Sequence, residues 1–145
     1  MGFFDFVTDA GKKLWGGDDD EAAAAEALEK EVKDLGLGGD VEIKVEGDTV
    51  KIAGMAPSQE VKEKIILAAG NIAGIGKVEE EIKADVEEEP ATFHTVEKGD
   101  TLWAVAKKAY GDGSKYNAIF EANRPMLSDP DKIYPGQVLR IPKLG

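Results

Sequence analysis

Three places in this 145-residue chain carry residue types that could do chemistry: a lone histidine, two acidic runs, and a glycine-rich loop after an apolar stretch. His94 is the only histidine. It lies opposite Phe93 in an alternating strand pattern, so it reads as a solvent-facing strand residue rather than a general base. Glu79-Glu80-Glu81 and Glu87-Glu88-Glu89 lack the alternating oxygen ligands and central glycine of an EF-hand loop. No G-x-S-x-G, P-loop or H-E-x-x-H spacing occurs, and with no cysteine there are no thiolate metal sites or cysteine nucleophiles. The residues point to binding, and no enzyme activity is expected.

The loop Gly70-Asn71-Ile72-Ala73-Gly74-Ile75-Gly76 offers more. A helix ending near Gly70 leaves its last carbonyls unpaired, beside the negative end of the macrodipole. Glycine accepts unusual backbone angles, so the loop can fold several more carbonyls toward one point. The N-terminal segment ends at Gly11 in the same manner, freeing carbonyls near Val7 and Ala10. Neither loop has a carboxylate except Asp9. Calcium and magnesium reward several carboxylate ligands. Neutral carbonyls are how proteins replace the hydration shell of potassium. The same seven residues also suffice as a plain helix stop and turn, and both readings fit.

The elements that must position these groups follow from periodicity. Phe3, Val7, Ala10 and Leu14 recur at spacings of four, three and four, which predicts a short amphipathic helix in a leader over 1–20, broken at Gly11 and Gly16-Gly17. Its apolar stripe, with Trp15, is expected to dock on the next domain. A membrane surface is the lesser option, because Asp5, Asp9, Lys12 and Lys13 hold no basic excess. Asp18-Asp19-Asp20-Glu21 starts an alanine-rich helix over 21–35, stopped by Gly36 and Gly38-Gly39. Val41, Ile43 and Val45 alternate with charged residues, Gly47-Asp48 turns the chain, and Val50 and Ile52 continue it: a hairpin. Ser58 is placed to cap a second helix through Ala69, and Val78 to Ala84 alternate again as a strand.

Residues 86–91 form a charged linker. Beyond it, Thr92–Val96 reads as a strand and Asp100 or Thr101 caps a helix to about Ala109. Ser114 or Tyr116 opens a helix to about Ala122, and Val138–Ile141 returns as a strand. The predicted class is α+β in two small domains, αββαβ over 21–85 and βααβ over 92–145, with two helices on one face of a three-stranded sheet in the first.

Charge divides the chain in the same place. Residues 1–91 hold 23 Asp/Glu against 10 Lys/Arg, net −13, while 92–145 hold 6 against 8, net +2, giving −11 in all. The acidic part argues against nucleic acid and anionic membrane as partners. The longest apolar run, Ile65 to Ala69, is far too short to span a bilayer. The start lacks a basic region, and Asp5 and Asp9 interrupt its apolar stretch, so the expectation is a cytoplasmic chain without a secretory signal, acting as a monomer.

Two runs resemble known families. Phe93-His94-Thr95-Val96-Glu97-Lys98-Gly99-Asp100-Thr101-Leu102-Trp103, closing with Ile133-Tyr134-Pro135-Gly136-Gln137-Val138-Leu139-Arg140-Ile141-Pro142, resembles a LysM domain, a family that often binds N-acetylglucosamine-containing glycans. The resemblance implies a groove between Gly99, Asp100, Thr101 and Leu102 on one side and Met126, Leu127 and Ile133 on the other. Leu102, Trp103, Ile119 and Ile133 are equally suited to building a small core. Thr49-Val50-Lys51-Ile52-Ala53-Gly54-Met55-Ala56-Pro57-Ser58 and Ile72-Ala73-Gly74-Ile75-Gly76-Lys77-Val78 are similar to the two signatures of BON domains.

The combination of a short Phe-rich leader, a BON-like part and a LysM-like part resembles the small cytoplasmic potassium-binding proteins of bacteria. That resemblance implies a K+ sensor or buffer whose ion orders the leader against the BON-like domain. It places the ligands at the main-chain oxygens of Val7, Ala10, Lys12, Gly70, Ile72 and Ile75. The LysM-like part would then stabilise the protein or dock a glycan or protein partner. Two alternatives stand beside it: a peptidoglycan-binding module, and a lipid-surface adaptor using Phe3, Phe4 and Phe6.

Overall fold

A computed structural model describes residues 2–8, 11, 21–86, 88 and 90–143. The elements are β1 (Gly2–Asp5), α1 (Glu21–Asp34), β2 (Asp40–Glu46), β3 (Thr49–Ala56), α2 (Gln59–Gly70) and β4 (Lys77–Ala84), followed by β5 (Thr92–Thr95), α3 (Leu102–Tyr110), α4 (Tyr116–Ala122) and β6 (Val138–Ile141). A short 3-10 turn, Gly113–Lys115, precedes α4. The fold is α+β.

The first six elements make a four-stranded sheet in the order β1-β4-β3-β2. The hairpin forms where Gly47-Asp48 interrupts the alternation, pairing Ile43 with Ile52 and Val45 with Val50. β3 and β4 run parallel, Val50 beside Val78, so α2 must cross over between them. Ser58 starts α2 by accepting the Val61 amide at 3.2 Å. Leu28 and Val32 of α1 and Ile65, Ile66 and Leu67 of α2 close on Ile43, Val50, Ile52, Val78 and Ile82, burying one face of the sheet. The outer edge strand β2 is held from α1, where Glu29 accepts the Ile43 amide at 2.9 Å.

The leader corrects the sequence reading. Residues 2–5 are a strand, not a helix, and pair antiparallel with β4, Phe4 opposite Val78. The sheet therefore has four strands where three were expected. A period of two explains the change: Phe4 and Phe6 turn toward the core while Phe3 stays exposed beneath the Lys77 ammonium. The free edge of β4 supplies a hydrogen-bonding partner that an isolated leader lacks. Docking of the Phe-rich segment on the next domain is realised through that edge. Met1, Asp9, Ala10 and 12–20, with Trp15 and the acidic helix start, lie outside the described residues.

The remaining elements form a β5–β6 pair with α3 and α4 over it. Thr101 caps α3 by accepting the Ala104 amide, and Gly111 ends it in the left-handed region at φ 76°. Leu102, Val105, Ile119, Leu127, Leu139 and Ile141 fill a second core. Trp103 is not part of it. The indole is 55% exposed and lies over Gly113.

All four residues of β6 are buried, because the strand is covered on both faces. Leu139 and Ile141 enter the second core, while Val138 joins the first. Arg140 faces the same way as Val138 and donates to Glu63 of α2 at 2.7 Å. Glu63 also accepts the Ala91 amide at 3.1 Å, which ties the linker's end to the same carboxylate. Phe93 meets Phe4 edge-on at 5.3 Å between centroids. The two parts of the chain are thus packed together along α2.

Candidate functional site

Helix α2 ends where Gly70 meets Asn71, whose amide caps it by donating to the Leu67 carbonyl at 2.9 Å. No basic residue of α2 occupies its last turn, at the negative end of the helix dipole. Past the end, the amides of Gly74, Ile75 and Gly76 donate to the carbonyls of Thr8, Ile72 and Asp48, at 2.7, 3.1 and 2.8 Å. The Gly70 carbonyl receives none of these. Phe6 donates to the Gly76 carbonyl at 2.9 Å, so the leader runs along the loop beyond the end of β1.

Two further contacts press the leader down. The Phe6 ring lies on Gly70 so closely that a Cβ there would overlap it. Gly11, at φ 103°, lies against the Asn71–Ile72 peptide, where any side chain would collide with the Asn71 carbonyl. Three described segments therefore converge: residues 6–8 with Gly11, the loop 70–76, and Asp48 of the hairpin turn.

Of the six candidate ligands, Val7, Gly70, Ile72 and Ile75 fall in this neighbourhood. Ala10 and Lys12 lie outside the described residues, although Gly11 between them touches the loop. The side chains of Ile72 and Ile75 are buried in the first core, which leaves main-chain oxygens as their polar contribution. Among the described residues no group of three Asp, Glu or His side chains gathers as a metal cage. The arrangement puts main-chain carbonyls beside a negative helix end, with the Asp48 carboxylate close to Gly76.

Sequence reasoning missed Phe6 as a cover, and it missed Thr8, Asn71 and Asp48 as fasteners. Phe6 had a signal in the Phe4/Phe6 alternation. Asn71 had one as the residue following a helix-ending glycine.

The seven glycan candidates are divided among a turn, a helix start and the two cores. Gly99 takes φ 90° in the turn, and Asp100 closes that turn by accepting the Glu97 amide at 2.9 Å. Asp100 also meets His94 at 3.0 Å, so the histidine is partnered rather than simply solvent-facing. Thr101 is the helix cap, and Leu102 and Leu127 are buried in the second core, with Ile133 packed on it. Met126 packs on the first core instead. Met126 and Leu127 line a cleft of about 450 Å³ together with Leu67, Asn71 and Ile72, and none of residues 99–102 reaches it.

The comparisons agree with this architecture. Residues 18–85 match the BON domain model and residues 94–142 match the LysM domain model. Over 148 aligned positions the chain is 45% identical to the potassium binding protein Kbp of Escherichia coli O6:H1, spanning 99% of both chains. The chain belongs to the Kbp family. Other similarities cover less of the chain. The uncharacterized protein YqbP of Bacillus subtilis is 41% identical over 63 residues, which cover 37% of this chain and 28% of that one. The spore coat assembly protein ExsA of Bacillus cereus is 43% identical over 50 residues, covering 34% and 7%. Only with Kbp is the whole arrangement of leader, BON part and LysM part shared at full length among these three.

Proposed function

We propose that this chain is a non-enzymatic, cytoplasmic potassium-binding protein, a sensor or buffer whose ion fastens the leader to the end of α2. The observation that carries this reading is the packing of Phe6, Thr8 and Gly11 on the loop 70–76, which supports one site built from both segments. Full-length similarity to a protein named for binding potassium supports the choice of ion. The ligands are the main-chain oxygens of Val7, Ala10, Lys12, Gly70, Ile72 and Ile75. Their neutrality favours a monovalent ion, and the net charge of −11 raises the local cation concentration. No helix among the described residues is long and apolar enough to cross a membrane. The glycan reading finds less support, because Leu102 and Leu127 are spent on the core and Met126 on the contact with the first part.

An ion that binds the native state alone stabilises it by about 2.7 kcal/mol at a hundredfold excess over Kd. The test is calorimetric titration and thermal melting in potassium, with sodium at equal ionic strength as control. Saturable heat and a rising Tm in potassium alone are expected, and both should disappear on deleting residues 1–12. A truncated protein that still responds refutes the two-segment site.

A further inference from the structure

One residue of the loop carries a second task. The Asn71 side chain makes a reciprocal pair of hydrogen bonds with the Val138 backbone in β6: Nδ2 donates to the carbonyl and Oδ1 accepts the amide, both at 2.9 Å. A side-chain amide here occupies the place of a neighbouring strand, on the edge that β6 turns toward α2. The partners are 67 residues apart and lie in different parts of the chain. Asn71 is also the cap of α2, and its peptide to Ile72 is covered by Gly11. The residue is therefore held by Leu67 through its amide, by Val138 through its side chain, and by the leader against its carbonyl.

Resting on the ion reading above, we propose that Asn71 is a positioning residue for the ion. It fixes the backbone between the candidate ligands Gly70 and Ile72, and the LysM-like part supplies the anchor. Carbonyl ligands discriminate between cations only as far as their number and spacing are maintained. Gly70 is the last residue of α2 and Ile72 the first beyond the cap, so a shift at Asn71 moves both oxygens. Coupling of this kind is reciprocal: if docking on Val138 tightens the ion, the ion tightens the docking by the same factor.

The test uses the full chain. In Asn71→Ala the potassium Kd should weaken about tenfold, in the usual range for coupled sites. Met126→Ala loosens the same interface without touching the Asn71–Val138 pair, and its Kd should stay within about twofold of wild type. In the wild-type protein, hydrogen exchange at the Val138 amide should slow when potassium is added and not when sodium is. An Asn71→Ala protein with wild-type affinity, or equal Val138 exchange with and without potassium, overturns the proposal. If Asn71→Ala fails to fold, the wild-type exchange measurement decides. Absence of any potassium heat in the wild type overturns the ion reading itself, and is visible before any variant is made.

Discussion

Replacing Gly70 by alanine isolates the contact on which the ion reading rests. A Cβ at this position would overlap three carbons of the Phe6 ring, Cζ, Cε1 and Cε2. The ring cannot flex away within its pocket, since Phe6 is only 8% exposed and belongs to the first core. It must leave, giving up about 2–3 kcal/mol of burial. Alanine returns about 0.5–1 kcal/mol, because Gly70 lies within α2 at a φ that alanine tolerates. The net cost is about 1–2.5 kcal/mol, read by urea or thermal unfolding in sodium buffer. The decisive comparison is made in a Phe6→Ala background. There the obstruction is gone, and Gly70→Ala should become stabilising by about 0.5–1 kcal/mol. A reversal of sign is the signature of direct overlap. If Gly70→Ala costs the same in both backgrounds, Phe6 does not cover Gly70 and the leader's docking is misassigned.

Other outcomes follow from contacts elsewhere. Removing either partner of the buried Glu63–Arg140 pair should cost about 3 kcal/mol in urea unfolding, because the other charge is left buried. The double replacement Glu63→Leu/Arg140→Met should cost less than Glu63→Leu alone; a larger cost would refute that argument. At Asp100, the Glu97 amide and then His94 hold the carboxyl below its ordinary 3.8. A lowered folded pKa stabilises fully above the unfolded value, and the contribution is lost as pH falls through the folded one. Carbon-detected NMR titration should find Asp100 titrating below its unfolded value, and Asp100→Asn should flatten part of the acid limb of stability below about pH 4. Gly113→Ala should push the Trp103 indole off its seat and shift its emission to the red, at a cost of about 1 kcal/mol or less since the ring is already half exposed. Unchanged emission would mean that the ring does not rest there.

Much of the local structure was legible because its causes are local. Ser58 and Thr101 are helix caps, and Gly47-Asp48 is a turn signal. The alternation of Val41 to Val45 fixes which face of β2 is buried. The end of α2 at Gly70 was legible for the same reason. The leader was misread because Phe3 and Val7 fit a helical spacing while Phe4 and Phe6 fit an alternating one. Only the open edge of β4 chooses between them.

The sequence by itself determined the two-part α+β composition and the caps and turns, since each depends on residues a few positions apart. Tertiary structure decided the parallel pairing of β3 with β4 and the fourth strand. It also decided the burial of β6 on both faces and the bonds from Asn71 and Glu63 to residues 67 and 77 positions away. The physical reason is that a hydrogen-bonding group in the chain states only that it needs a partner. Which distant group supplies that partner is fixed when apolar faces close and bring α2 between the two cores.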